Sequence, residues 1–385
     1  MLALVCGLAG PAAAGFVAEK AVIVGRAAEG APWTDMATEA RVDAGAELAV
    51  VLVGRDGRRR VVVADPAVSP LRLGGRAVKD GERRDFGADA VRVQWSTVEP
   101  HGFRDGEAEN GATSEFYSNV STEARDFGRW LGYDHIDYFE RVVAPWAEGD
   151  GARRIAATVT SGEDGAVQVP GLGTVRYKAE VEWGGVRLAT PGAEARDAFG
   201  LTRAVHRVSL RDGDDFMGWL GAYLLVPEVF GSAGGGKNHQ TERFTGADCA
   251  DVMVGALRRS GRTDVTYTNV AGLPTYATVV AAAVVLDDRG MPPAPIRGIR
   301  RGDLVRIDYG GALTGHTPRG WDHVAAVWED RSDPRGPARG GPDGNLDGFD
   351  LVIHMGHPRL VIEPLSEQSP ATVDVLRWRA QRSRR

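Results

Sequence analysis

Short apolar runs, broken every few positions by Gly, Asp or Pro, fill the chain from about Ala21 to Leu188. A helix needs an unbroken apolar stripe over several turns, so these runs predict strands joined by turns. The stretch "ELAVVLVGRDGRRRVVVAD" predicts a hairpin turning at Arg55-Asp56-Gly57, and "RIAATVTSGEDGAVQVPGLGTVRYKAEVEWGGVRLATPG" a meander of three or four strands. Together they predict a β-rich, sandwich-like module over 15–200. Phe127, Trp130 and Leu131, then Ile136, Phe139 and Val142, recur at helical spacing and predict a helical insertion near 112–147. Asp134, His135 and Asp137 in that insertion are metal-ligand types, although the end of a surface helix is the simpler reading.

Near residue 200 the chain turns polar and its pattern changes. "DDFMGWLGAYLLV" starts a helix with Asp214 and Asp215 as capping residues; "DCADVMVGALRRSG" starts one at Asp248 and stops it at Gly261. The alanines of "TYATVVAAAVVLDDRG" predict a third helix, ended by Gly290. Strands follow in "DLVRIDYG", "DHVAAVWED", "DLVIHMG" and "RLVIEP". Helices followed by strands make 201–385 an α+β domain.

Composition sets the function class. The chain has 385 residues, 43% hydrophobic and 25% charged, as a folded protein should. A net charge of −6 argues against a nucleic-acid partner, since phosphate binding needs clustered Lys and Arg. The basic tail "RWRAQRSRR" is expected to be solvated. At the start, "MLALVCGLAGPAAAGF" is apolar, uncharged and ends in small residues that suit cleavage after Ala14. Residues 1–14 therefore read as a signal peptide, with a periplasmic or extracellular destination. No other run approaches the ~20 apolar residues of a membrane helix, so the mature chain is expected to have no transmembrane segment. Cleavage removes Cys6 and leaves Cys249 as the one thiol.

Two motifs compete near that thiol. "GSAGGGKN" approaches a phosphate-binding loop from Gly231 to Lys237, but Asn238 replaces the hydroxyl that holds magnesium and the next helix starts too late. The glycines are better read as a surface loop. Cys249, by contrast, falls in the first turn of a helix, where free N–H groups and the helix dipole favour a thiolate. His323 and His354, each on a strand, supply imidazoles to share its proton.

In "YLLVPEVFG", "GADCADVMVGAL", "RRGDLVRIDY", "DHVAAVW" and "LVIHMG", spanning about 216–356, the sequence resembles the NlpC-type cysteine peptidases, papain-like cell-wall hydrolases. The resemblance implies a papain-like fold for 201–385, Cys249 as nucleophile, His323 as general acid/base and His354 as the orienting third member. It implies peptidoglycan or another peptide as substrate, with no cofactor required. Asp248, Asp251 and Glu228 fall where the family shapes its substrate groove. There the chain departs from the family: Ala250-Asp251 replace the usual Ser-Gly, and Glu228 replaces an aromatic residue. A divergent amidase or acyltransferase, or an envelope binding protein with an inactive domain, stays open.

"DGNLDGFD" copies the first half of a calcium loop, with Asp343, Asn345 and Asp347 at ligand positions. The glutamate expected at the twelfth position is His354, so a partial structural calcium site or a plain acidic turn is expected. Trp33, Trp95, Trp130, Trp146 and Trp183 offer a glycan-binding face or, more simply, core packing.

Overall fold

The computed structural model describes residues 15–87, 90–100, 115–118, 129–130, 138–159, 167, 169–197, 199–233, 240–310, 320–356 and 358–380. The signal-peptide expectation for 1–14, the possible ligands Asp134, His135 and Asp137, Gly236-Lys237 and the end of the basic tail fall outside them. The chain divides into two compact units: one of 1–101, 137–160 and 171–212, the other of 102–136, 161–170 and 213–385.

The α+β, papain-like class expected for the C-terminal half is overturned. Strands account for 46% of the protein and helix for 12%, and the helices are short. In this half the difference lies in the alanine-rich stretch 275–290, which forms a strand; a stretch of the first unit expected to be helical is strand as well.

In the first unit, β1 (Phe16–Arg26) pairs antiparallel with β2 (Glu47–Asp56), which turns through Gly57 (φ +58°) into β3 (Arg59–Val63). Val24, Val51, Val53, Val62 and Trp33 pack on one another beneath this sheet. A second sheet aligns β4 (Val91–Pro100), β5 (Tyr138–Glu148), β6 (Gly173–Trp183) and β7 (His206–Arg211). Phe16 meets Trp183 edge to face across the two sheets, their centroids 5.7 Å apart. Trp33, Trp95 and Trp183 are buried, while Trp146 is half-buried against the guanidinium of Arg92. The helical insertion expected near 112–147 is strand wherever it is described: β5 runs beside β4 from Tyr138↔Pro100 to Glu148↔Arg92. Phe139 and Val142 match a helical spacing, but pairing with an existing strand satisfies every second backbone group at once, which an isolated amphipathic run cannot do.

In the second unit, α1 (Phe216–Gly221) is capped by Asp215, whose side chain accepts from the Gly218 N–H, and α2 (Cys249–Arg259) is capped by Asp248. Among the described residues six antiparallel strands form its main sheet: β8 (Ala277–Leu286), β9 (Leu304–Asp308), β10 (His323–Glu329), β11 (Leu351–Met355), β12 (Leu360–Pro364) and β13 (Ala371–Trp378). Their spatial order is β8-β13-β9-β10-β11-β12. Leu304 to Ile307, Val324 to Val327 and Leu351 to Met355 are buried without interruption, so both faces of the central strands are covered. That explains their continuous apolar runs. One face packs Val305, Ile307, Ala325, Val327, Val352, Val373 and Val375 together. Helix α2 lies against β10 and β11.

The expected helix over "TYATVVAAAVVLDDRG" is instead the edge strand β8. Its four valines are stiff at χ1 and favour a pleated strand, and pairing with β13 outweighs the helix propensity of its alanines. The strand bulges twice, between Val279 and Ala281 and between Ala281 and Val284. At the second bulge Ala283 adopts φ +52°, and its N–H donates to Asp374 Oδ1 at 2.8 Å.

Candidate active site

Cys249 is the first residue of α2, and the side chain of Asp248 before it accepts from the Asp251 N–H at 2.7 Å. Satisfying that amide leaves the N–H groups of Cys249 and Ala250 as the open start of the helix. Cys249 is half-buried as a residue, and its sulfur approaches the beginning of β10, where the Val324 N–H is directed at it. Residue 323, one step earlier on the same strand, is the histidine.

His323 Nε2 and His354 Nδ1 are hydrogen-bonded at 2.9 Å, with ring centroids 4.9 Å apart and planes at 89°. Strand register accounts for the meeting: β10 pairs with β11 so that Ala325 faces His354, placing His323 one diagonal step away. The series continues beyond the residues singled out in the sequence. His354 Nε2 donates to Glu363 Oε1 at 3.0 Å, and Gln368 Nε2 donates to the same oxygen at 2.7 Å. The hydroxyl of Tyr309 donates to Gln368 Oε1, and the Tyr309 ring lies over His323, 27° from parallel. Glu363 was legible only as a strand residue, because β12 was predicted but its pairing with β11 was not.

Electrostatics reverse the expectation for the thiol. Burial, followed by the charges of Asp248, Glu228 and Asp251, pushes Cys249 well above the ordinary thiol range, against the weaker pull of the Val324 N–H. Burial holds His323 well below its usual value, with the neighbouring His354 acting in the same sense. Cys249 is therefore a neutral thiol and His323 a neutral imidazole. Glu363 is held below the usual carboxylate range, chiefly by its hydrogen bond from His354.

The three acids expected around the groove serve different ends. Asp251 is buried, and its Oδ2 accepts from Ser232 Oγ at 2.8 Å and the Ala233 N–H at 2.6 Å. Asp248 Oδ2 accepts from the Gly231 N–H at 3.0 Å, so both aspartates tie the 231–233 turn to α2. Glu228 is half-buried beside the thiol, and its backbone N–H donates to Pro358 O at 2.8 Å.

In the acidic turn, Asp343 Oδ1 accepts from the Asn345 N–H and Asp347 Oδ1 from the Phe349 N–H. Asp330 accepts from the N–H groups of Asp343 and Gly344, and Asp350 from those of Arg331 and Asp347. These bonds hold the backbone of the turn. Among the described residues no group of three or more His, Cys, Asp or Glu side chains is arranged to hold a metal ion. No described helix is long and apolar enough to cross a membrane.

No family model, no curated protein and no solved structure matches the chain.

Proposed function

We propose that the second unit is a thiol-dependent hydrolase of amide bonds, acting on peptides of the cell envelope such as those of peptidoglycan after export of the chain. The observation that carries the reading is the hydrogen-bonded series Glu363–His354–His323, which ends at the residue before Val324, whose N–H faces the sulfur of Cys249 at the open start of a helix. A neutral thiol becomes a nucleophile only when a base removes its proton during attack. His323 is that base.

As the Cys249 sulfur bonds to the carbonyl carbon, its proton passes to His323. The carbonyl oxygen gains the electron pair and takes the N–H of Cys249 as a donor at the helix start. When the carbon–nitrogen bond breaks, the departing amine carries away the proton from His323. Water then gives a proton to His323 and attacks the thioester; the sulfur leaves with that proton, restoring the thiol and releasing the acid. The substrate class rests on the order of the short motifs and on export, whereas the chemistry rests on the site.

Incubating purified peptidoglycan with the wild type and with Cys249→Ala, and mass-analysing the fragments for new amino groups, tests the reading. Products from the wild type alone support it. Equal products from both proteins, or none from either, refute it, and the second outcome favours a binding role, to which the raised thiol already lends support. Among active-site variants, His323→Ala is expected to abolish turnover and His354→Ala to weaken it.

A further inference from the structure

The contacts beyond His354 define a proton arrangement. An ionised carboxylate only accepts hydrogen bonds, so the His354 Nε2 that lies 3.0 Å from Glu363 Oε1 carries a hydrogen. In its neutral form His354 has one such hydrogen, and its Nδ1 is then a lone pair. That lone pair faces His323 Nε2 at 2.9 Å, so His323 Nε2 is the donor there. The nitrogen left to His323, Nδ1, is unprotonated and able to take a proton from a thiol. Gln368 reinforces the pattern: with its carbonyl oxygen occupied by the Tyr309 hydroxyl, its NH2 group faces Glu363.

We infer that Glu363 is a positioning residue that fixes the tautomers of both histidines, transmitting through His354 the state in which His323 serves Cys249. The inference rests on the reading of Cys249 as a nucleophile, and it adds a member to the site that the motifs did not contain. Glu363 bonds to His354 and Gln368 rather than to the thiol. Its carboxylate acts through two imidazoles, and the reversed tautomer would place a hydrogen on His323 Nδ1 and block proton transfer from sulfur.

The test is long-range proton–nitrogen NMR of the full chain with 15N-labelled histidine, the two rings assigned from His323→Asn and His354→Asn. The wild type is expected to show a hydrogen on Nε2 and none on Nδ1 in both rings. In Glu363→Leu, which removes the acceptor, that preference is expected to disappear, and alkylation of Cys249 by iodoacetamide at fixed pH to slow by about tenfold or more. Glu363→Gln keeps an acceptor oxygen without the charge and is expected to retain the tautomers with a smaller loss of rate. A hydrogen on Nδ1 of either ring in the wild type overturns the inference without recourse to any variant. Unchanged tautomers in a folded Glu363→Leu overturn it as well. Peptide hydrolysis is not the readout: an inactive wild type with the expected tautomers leaves this inference standing while refuting the hydrolase, and the opposite tautomers in an active enzyme do the reverse.

Discussion

Asp251 tests whether an acid two residues from Cys249 serves the substrate or the scaffold. Its Oδ2 accepts from Ser232 Oγ at 2.8 Å and from the Ala233 N–H at 2.6 Å, and Ser232 is fully buried. Asp251→Ala deprives both donors of this acceptor. Bonds to a charged group contribute about 1.5–3 kcal/mol each. Ser232 Oγ keeps Thr241 Oγ1 as a partner at 2.8 Å, and the change also relieves repulsion with Asp248, so the expected net loss is about 2–4 kcal/mol. Asp251→Asn retains an acceptor oxygen and deletes the charge, and is expected to lose less than half as much. The measurement is urea unfolding at pH 7 followed through the transition of the second unit. The pH dependence supplies a second readout. Burial and then Asp251 raise Asp248 from 3.8 to about 8, so the folded chain holds this proton more tightly than the unfolded one. Stability therefore falls as the pH rises from about 4 to about 8, and Asp251→Asn should flatten that decline. An Asp251→Ala protein within about 0.5 kcal/mol of wild type, with its pH dependence unchanged, refutes the scaffold role.

Iodoacetamide should alkylate Cys249 more slowly at pH 7 than a free thiol, with the rate still climbing above pH 9, and Glu228→Gln should accelerate it; fast labelling at pH 7 contradicts the raised thiol. Arg306 and Asp374 form a buried ion pair, and Asp374 also holds the Ala283 N–H at the β8 bulge. Asp374→Ala should cost about 3–5 kcal/mol in unfolding experiments, and adding Arg306→Met should recover part of that, because an unpaired buried guanidinium is worse than none. In the first unit, His206 is fully enclosed beside Thr38 Oγ1 at 3.0 Å, and burial lowers it to about 3. The unfolded chain then binds the proton first as the pH drops below about 6.5, so stability is lost from there toward pH 3, and His206→Gln should reduce the slope by up to about 1.4 kcal/mol per pH unit.

Local chemistry was readable wherever one residue type decides the backbone. Asp215 and Asp248 cap the helices their positions predicted, and the hairpin turns next to Arg55-Asp56-Gly57 because Gly57 accepts a positive φ. The strands carrying His323 and His354 were also legible, since their apolar runs are too short for helices. The β-rich character of the second unit was not, and the papain-like class expected in its place was wrong. Alanine-rich β8 and the Tyr138–Glu148 stretch each fit a helical pattern in isolation, and only a partner strand distant in sequence, β13 or β4, decides otherwise. Glu363 was hidden for the same reason. Its nine-residue separation from His354 says nothing until β11 and β12 are paired, when Val352 faces Glu363 and the next inward residue is the histidine.

The thiol shows where a local argument reaches its limit. Helix position alone favours the thiolate, by about 0.3–1 kcal/mol at an exposed end and up to about 2 kcal/mol when partly buried. Opposing it are burial and carboxylates at 228, 248 and 251, and their Coulomb effects strengthen as water is excluded. The opposing effects win, and Cys249 rests as a thiol. A resting thiol spares the site premature alkylation and oxidation, and under the proposed hydrolysis it would transfer the whole burden of activation to His323 at the moment of attack. That burden can be met only by an imidazole whose free nitrogen is already unprotonated. The raised thiol and the Glu363–His354–His323 series are thus linked requirements: the more firmly the carboxylates hold the proton on sulfur, the more the reaction depends on the histidine tautomer that Glu363 selects.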